Sequence, residues 1–451
     1  MRYGTIRHAV ILQILSILFP SPFPAATLAA VLPTISGRSP QVARQAGFYD
    51  ILYLGSPDQR ANEVGTVITR IYADNYKCLS NFEYKPGKNQ LLMGLNGSGK
   101  STVFEVLQLL RGAVAEGVPV DDDDMFAAHT LTQWDTRDVQ SFELEVEGNG
   151  GAYRYALSIE HYDERMNCHV SDERLDFRET PEDAWQPLFL MHLGEGTLYR
   201  DDHSEGPRVL MDRTRSGVAF VPLRPDNRRL AWFREWLSQV LYIQLNPMDM
   251  PARSEGENQF PDQTLSNFTS WYRHLVQEFP QLQGQLLDLL RQVLGPEFAG
   301  LSLRGKDIPD LRWLRAEFRG ENGKLVWFSF DELSDGQRAL IALYVIAVYF
   351  REAGTGDIGG VTLCIDEPEN YVALAELQPW ILEVEEAVEN GSSQLLVASH
   401  HPEFIDHYAG MDARQLIRSA VGPTRIEPFR VESDDPIRAS EYVARGWTDA
   451  S

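Results

Sequence analysis

One short run of the sequence combines glycine, lysine and serine in a pattern suited to binding phosphate groups. Residues 94–102 match the pattern G-x-x-x-x-G-K-[ST] in full. Glycines let backbone N–H groups close around phosphate oxygens, and a helix that begins at the lysine adds partial positive charge. The lysine reaches the β- and γ-phosphates, and the serine hydroxyl ligates Mg²⁺. The pattern predicts a nucleotide-binding loop with these contacting residues: Gly94, Asn96, Gly97, Ser98, Gly99, Lys100, Ser101 and Thr102.

Two carboxylates follow a short apolar segment much later in the chain. Asp366 and Glu367 come directly after Leu363–Ile365. Asp366 can hold Mg²⁺, directly or through water, together with Ser101, and Glu367 can orient or deprotonate a water molecule beyond the γ-phosphate. An acidic loop at the end of a strand is the alternative for this pair alone. Taken together with the lysine loop, the pair of carboxylates predicts Mg²⁺-dependent hydrolysis of a nucleoside triphosphate.

A second anion site and a histidine complete the candidate chemistry. Ser334, Gly336 and Gln337 lie in the run LSDGQR at the start of an apolar helix, where a hydroxyl, a backbone amide and the helix dipole favour an anion. The alternative is an ordinary helix N-cap. His400 follows an apolar strand and can contact a γ-phosphate, and a structural histidine is its alternative.

The elements that must position these residues follow from hydrophobic periodicity. Alternating residues on either side of Gly148–Gly151 indicate a β-hairpin, and more strand-like sequence runs to about Pro222. A helical stretch from Arg229 to Leu294 is predicted, broken at four prolines. The remaining predicted elements are strands Leu91–Met93, Val361–Ile365 and Leu395–Ala398, a buried helix Ala339–Phe350, and a helix around Pro379–Val388 with its proline in the first turn.

Composition and charge exclude several classes of protein. The net charge is −24, so the chain as a whole does not coat nucleic acid or anionic lipid, and such contacts require a local basic patch. One basic and aromatic cluster is a candidate for that patch, and a solvated helix face is its alternative. The cluster comprises Arg224, Arg228, Arg229, Trp232 and Arg234. The three cysteines form no C-x-x-C pair, which excludes a disulfide framework and a cysteine zinc site.

The first residues look like a secretory signal. Arg2 and Arg7 precede an apolar run from Ala9 to Phe19, which is too short and too proline-flanked to span a membrane. Read literally, this leader exports the protein. Because the predicted chemistry consumes ATP, we favour an upstream-start artefact or a disordered extension, and we expect a cytoplasmic protein without a membrane domain.

The four runs, in this order, resemble the ABC-type ATPase family. Residues 94–102 resemble its Walker A loop, residues 333–338 its LSGGQ signature, residues 363–367 its Walker B strand, and His400 its switch histidine. The long separation of Walker A from the signature resembles the SMC/RecF/OLD-like branch of small bacterial AAA-type ATP-binding proteins. Residues 71–78 resemble the opening strand of that branch.

The resemblance implies further site residues and shows some departures. It implies that Lys77 binds the nucleotide and that a Q-loop glutamine, for which Gln133 is the nearest candidate, contacts the metal. The family usually has a histidine soon after the run Asp366–Asn370, where this chain has Tyr371. The absence of persistent heptads predicts no long coiled coil, and the 51 residues after His400 are too few for a Toprim domain.

The resemblance also implies a fold, a division into domains and partners. The expected fold is α/β, a P-loop NTPase of the ABC-ATPase type, with a mixed sheet, an antiparallel β lobe and a helical insertion. Lys100 of one subunit and Ser334 of another should sandwich one ATP in a homodimer. The domains are a leader (1–65), the N-terminal ATPase part (66–136), the β lobe and helical insertion (137–319), the C-terminal ATPase part (320–430) and a tail (431–451).

Two classes of partner remain open at this stage. In the first, double-stranded or branched DNA couples the ATPase to repair, recombination or DNA-directed defence. In the second, the protein is a regulatory switch that acts through a nuclease or another effector protein in anti-phage defence. ATPase activity stimulated by DNA would favour the first class.

Overall fold

The computed structural model describes residues 65–305, 310–355, 360–429 and 438–445. The predicted leader, apart from Gly65, and most of the predicted tail lie outside the described residues. The described residues belong to one compact unit that begins at Glu63. Among the helices in these ranges, none combines the length and the apolar character needed to cross a bilayer.

A six-stranded sheet lies at the centre of the candidate site. Its order is β10-β15-β16-β3-β17-β18, and all neighbours are parallel except β17 and β18. Because both faces are covered, strands β15 and β16 are buried throughout, which explains their continuous apolar sequence. The strands are β3 (Asn89–Met93), β10 (Val240–Ile243), β15 (Thr362–Asp366), β16 (Gln394–Ala398), β17 (Ala413–Ile417) and β18 (Arg425–Pro428).

Helices cover the two faces of this sheet. Within β3, Leu91 and Met93 pack on the side of the long helix α6, and Leu92 packs on the side of helix α1. The helices are α1 (Lys100–Arg111), α2 (Gly217–Phe220), α3 (Arg228–Ser238), α4 (Phe268–Glu278), α5 (Leu282–Leu294), α6 (Asp335–Thr355), α7 (Leu374–Asn390), α8 (Pro402–Tyr408) and α9 (Ala439–Ala444). This arrangement confirms the predicted α/β class with a mixed sheet.

An eight-stranded antiparallel sheet forms the predicted β lobe. Its order is β2-β1-β4-β5-β6-β7-β8-β9, and the predicted hairpin at Gly148–Gly151 joins β4 to β5, with positive φ at Asn149 and Gly150. The strands are β1 (Val67–Asp74), β2 (Phe82–Tyr84), β4 (Val139–Gly148), β5 (Gly151–Tyr162), β6 (Asn167–Arg178), β7 (Gln186–His192), β8 (Glu195–Tyr199) and β9 (Glu205–Leu210). Among the described strands, β1 thus pairs with β4 of segment 137–319, and β2 joins the sheet through β1.

A small four-stranded sheet precedes the signature run. Strand β13 pairs with β12 along one edge and with β11 and β14 along the other. The strands are β11 (Arg253–Ser254), β12 (Phe298–Gly305), β13 (Arg312–Arg319) and β14 (Leu325–Ser329).

Two expectations about helices were wrong. The stretch from Arg229 to Leu294 is not helical throughout, because Val240–Ile243 forms strand β10 in parallel pairing with the carboxylate-bearing strand β15. Four consecutive apolar residues fit a buried strand or a buried helix equally well, so periodicity could not decide between them. Pro379 lies inside helix α7, which begins at Leu374, rather than in its first turn.

Candidate functional site

The glycine-rich loop connects β3 to α1 and has the backbone geometry that the sequence predicts. Gly94, Gly97 and Gly99 have φ angles of 157°, 79° and 104°. A Cβ at Gly97 would meet nothing within 4 Å, whereas one at Gly99 would lie 2.8 Å from Thr424 Oγ1. The loop is therefore packed against the protein at Gly99 and open to a ligand at Gly97. Lys100 is 5% exposed, and its amine donates a hydrogen bond to the Gly94 carbonyl at 2.9 Å.

Asp366 lies directly beside the loop. The Ser101 hydroxyl donates to Asp366 Oδ2 at 2.5 Å, and Tyr242 and Gln244 lie 3.4 and 3.5 Å from the same oxygen. Burial raises the pKa of Asp366, while the hydrogen bond from Ser101 opposes this shift. Its second oxygen, Oδ1, is buried and has no hydrogen-bond partner among the described residues.

This arrangement fits a magnesium ion held together with nucleotide phosphates. A buried carboxylate oxygen without a donor and an adjacent serine hydroxyl are hard oxygen ligands of the kind that Mg²⁺ prefers. No cluster of three or more His, Cys, Asp or Glu suited to a metal occurs within the described ranges.

Glu367 and His400 meet at the ends of neighbouring strands β15 and β16. Glu367 has a φ of 47°, and its N–H donates to the Ala398 carbonyl at 2.8 Å. His400 Nδ1 lies 3.1 Å from Glu367 Oε1, and the Asn370 amide donates to Glu367 Oε2 at 3.1 Å. The Glu367 side chain is 27% exposed and that of His400 is 53% exposed, so water can reach both. The pair can orient a water molecule and transfer its proton.

A part-buried contact that sequence reasoning missed joins the loops that bear Glu367 and His400. The Ser399 hydroxyl donates to Glu369 Oε1 at 2.6 Å, and it also accepts the His401 N–H at 3.0 Å. Burial raises the pKa of Glu369. The contact fixes the position of His400 relative to Glu367. The only signal in the sequence was a serine at a strand end, which does not identify a partner thirty residues away.

The signature run begins helix α6 at the surface. Ser334 is exposed, and its hydroxyl accepts the Gln337 N–H at 3.3 Å, as in a helix N-cap. A Cβ at Gly336 would lie 2.9 Å from the Tyr371 carbonyl oxygen, so the run packs closely against the segment that follows Glu367. Within one chain, the Ser334 side chain hydrogen-bonds with Gln337, and the Lys100 side chain hydrogen-bonds with Gly94. An exposed Ser334 is free to meet another molecule.

Lys77 and Gln133 occupy different surroundings from those of Asp366. Lys77 Nζ pairs with Glu105 Oε2 of helix α1 at 2.6 Å, which places it beside the lysine loop helix. Gln133 is exposed in a turn, and the glutamine whose amide lies near Asp366 is Gln244. The nucleotide contact of Lys77 and the metal contact of Gln133 remain predictions.

The predicted basic cluster takes part in contacts within the fold. Arg229 lies over the Phe177 ring at 3.9 Å and pairs with Glu179 at 2.9 Å. Arg234 donates to two backbone carbonyls, and the Trp232 ring packs on Tyr153 with ring centroids 4.7 Å apart. These contacts hold helix α3 against the eight-stranded sheet and favour the structural alternative for the cluster.

Comparison with known proteins identifies one matching family and several solved structures with a similar fold. Residues 91–406 match the family described as "AAA domain, putative AbiEii toxin, Type IV TA system". No curated protein sequence matches the chain.

The solved structures with similarity include three SMC heads. The first is an SMC head domain from Thermotoga maritima, with 13% identity over 81% of this chain and 99% of that chain and a TM-score of 0.40. The second is an SmcHead bound to the C-winged helix domain of ScpA, with 13% identity over 81% of this chain and 98% of that chain and a TM-score of 0.44. The third is an Smc head domain with an extended coiled coil bound to the C-terminal domain of ScpA derived from Pyrococcus furiosus, with 11% identity over 81% of this chain and 97% of that chain and a TM-score of 0.43.

Proposed function

Because the chain belongs to the family described as AAA domain, putative AbiEii toxin, Type IV TA system, we propose that it binds ATP with Mg²⁺ and hydrolyses it to ADP and phosphate. The observation that carries this proposal is the contact of Ser101 with Asp366, whose other carboxylate oxygen is buried and unpartnered beside the lysine loop. A bound cation would offset the cost of burying a carboxylate oxygen that has no hydrogen-bond donor.

Each residue of the site has a distinct task in this reaction. The backbone amides of residues 94–101 and the Lys100 amine bind the phosphates, and Ser101 and Asp366 hold the ion, which neutralises phosphate charge when bound. Glu367 orients the attacking water and accepts its proton, because it is the carboxylate beyond the lysine loop that remains accessible to solvent. His400, held beside Glu367, steadies the γ-phosphate.

We further propose that two copies of the chain enclose each ATP. Support comes from Ser334, which is exposed at the start of helix α6 and packs through Gly336 against the segment after Glu367. An ATP bound at Lys100 of one copy would be contacted by Ser334 of the other, in a twofold dimer with two sites. ATP binding then joins the copies and hydrolysis releases them.

Size-exclusion chromatography with light scattering tests this dimer. With ATP and Mg²⁺, the Glu367→Gln variant should elute as a dimer, because it binds ATP without hydrolysing it. Lys100→Ala should remain a monomer, and Ser334→Ala should bind ATP but dimerise weakly. Identical elution of the first two variants in the presence of ATP would refute the proposal.

We propose that this cycle acts as a switch on a partner protein, such as a nuclease, in a defence system of the cytoplasm, where ATP is available. The family description, which includes a putative toxin of a type IV toxin–antitoxin system, supports this class of function. A flat ATPase response to added DNA, together with a protein that co-purifies in a defined ratio and changes the ATPase rate, would support it.

A DNA-linked function is the second candidate, and one surface favours it. One face of the four-stranded sheet carries guanidinium groups and the exposed Trp327 ring, and Arg315 lies 3.8 Å from that ring. Cationic and aromatic side chains together suit contact with phosphates and bases. The face contains Arg304, Trp313, Arg315, Arg319 and Trp327, with Glu317 among them. ATPase activity that rises with DNA, and falls again in Arg315→Ala, would favour this function over the first.

A further inference from the structure

The order of strands in the central sheet determines on which side of the lysine loop a nucleoside must lie. Asp366 is the last residue of β15 and His400 follows β16, and both strands lie on the same side of β3. Strand β17 pairs with β3 on the opposite side. Because the carboxyl ends of parallel strands meet at one edge of the sheet, a triphosphate with its γ end toward Asp366 directs its nucleoside toward the end of β17.

The end of β17 bears an arginine that contacts the loop and an indole ring. Arg418 Nη1 donates to the Gly97 carbonyl at 3.1 Å, and Arg418 Nε donates to the Gly422 carbonyl at 3.0 Å. The same guanidinium lies 5.6 Å from the centroid of the Trp134 ring. Trp134 is 39% exposed, so part of the ring faces solvent, and Arg418 links this ring to the loop at Gly97.

The turn that bears Trp134 is anchored on both sides. Leu131 forms a β-bridge with Tyr76, and the Thr132 N–H donates to Asn75 Oδ1 at 3.2 Å. After the tryptophan, Asp135 and Asp74 both pair with Arg137, at 2.5 and 2.6 Å. The ring is therefore presented by a fixed turn, and little conformational entropy is lost when a flat ligand packs on it.

We propose that Trp134 and Arg418 form the contact surface for the base of a purine nucleotide, an inference that rests on the proposed function and deepens it. An indole ring offers an aromatic face for a base, and the adjacent guanidinium extends the planar surface. A purine base should gain more binding affinity than a pyrimidine base, because the larger purine ring covers more of this surface. Stacking of a base on an aromatic side chain corresponds to about a 5- to 150-fold gain in affinity.

Isothermal titration of the full chain with Mg²⁺–ADP and with Mg²⁺–tripolyphosphate separates base contacts from phosphate contacts. Trp134→Ala should weaken ADP binding about 10- to 100-fold and leave tripolyphosphate binding within about twofold of wild type. Trp134→Phe should retain ADP binding within about fivefold, since an aromatic face remains. The matched control is Tyr162→Ala, which removes an exposed aromatic ring from the eight-stranded sheet and should change neither affinity.

The outcomes distinguish this inference from the function on which it rests. Unchanged ADP affinity in Trp134→Ala, or an equal loss for ADP and tripolyphosphate, would overturn the base contact. The proposed function fails in a different way, namely if Lys100→Ala binds both ligands as tightly as wild type does. A preference for GDP and ADP over CDP that disappears in Trp134→Ala would support the inference further.

Discussion

Replacing Glu367 by glutamine should stop hydrolysis while leaving the fold and ATP binding intact. Glutamine has nearly the same shape, and its Oε1 can still accept the hydrogen bond from Asn370, which is 3.1 Å from the carboxylate in the wild-type protein. What the substitution removes is the negative charge that accepts a proton from water.

The structure gives the size of the two effects. The pair of Glu367 and His400 is separated by 3.1 Å, but the histidine is 53% exposed, so solvent screening limits its contribution to at most about 1 kcal/mol. Loss of a general base slows proton transfer by about 10²- to 10⁴-fold. We therefore expect kcat to fall by about 10²- to 10⁴-fold, with a change of less than about 1 kcal/mol in the free energy of unfolding.

Three measurements test this expectation. Phosphate release under saturating ATP gives kcat, equilibrium titration gives the ATP affinity, and chemical denaturation gives the stability. The lifetime of the ATP-bound dimer should lengthen by the same factor by which kcat falls. Hydrolysis in Glu367→Gln within about tenfold of wild type would refute the assignment of Glu367 as the base. His400→Ala is the control: it should slow hydrolysis without removing the proton acceptor.

Further predictions concern the buried carboxylate and the loop glycines. Because burial raises the pKa of Asp366 above its unfolded value, the ionised form destabilises the metal-free protein. Asp366→Asn should therefore raise Tm at neutral pH, and this gain in Tm over wild type should disappear as the pH falls to the ordinary range in which an aspartate is protonated. Calorimetry at a series of pH values without Mg²⁺ measures the difference in Tm. The same variant should lose Mg²⁺-dependent hydrolysis. As the pH is lowered, the wild-type protein should begin to lose Mg²⁺ affinity at a higher pH than a site with an exposed aspartate would. Gly99→Ala should destabilise the protein by about 2–4 kcal/mol, since its Cβ would lie 2.8 Å from Thr424 Oγ1 at a φ of 104°. Gly97→Ala, at a φ of 79° but in open space, should cost only about 1 kcal/mol; urea denaturation compares the two, and an equal loss would contradict the packing argument.

Several features of the fold could be predicted because their determinants are local. The loop from Gly94 to Lys100, the helix that follows it and the hairpin at Gly148–Gly151 depend on backbone conformations and hydrophobic periods within about a dozen residues. The resemblance to a P-loop ATPase family, which rests on the four runs and their order along the chain, is confirmed by the family match over residues 91–406. The strand that bears Asp366 was also predicted to within one residue at each end.

Other features depended on contacts between distant segments. Strand β10 was expected to be helical because its four apolar residues suit either structure, and only pairing with β15 makes it a strand. That pairing brings Tyr242 and Gln244 close to Asp366, from which they are separated by more than 120 residues in the sequence. Likewise, only the tertiary structure shows that Arg229 and Arg234 of the predicted basic cluster have partners within the fold.

The sequence by itself showed which chemical groups are available for the proposed reaction: a lysine loop for phosphates, a serine and a carboxylate for an ion, and a glutamate for water. Tertiary structure decided which of these groups meet. The order of parallel strands brings Asp366 to Ser101 and His400 to Glu367. It also places β17, which Arg418 follows, on the other side of β3, and Arg418 lies 5.6 Å from the Trp134 ring. Strand order depends on the burial of whole apolar faces against α1 and α6, a property of the complete sheet that no short run of residues contains.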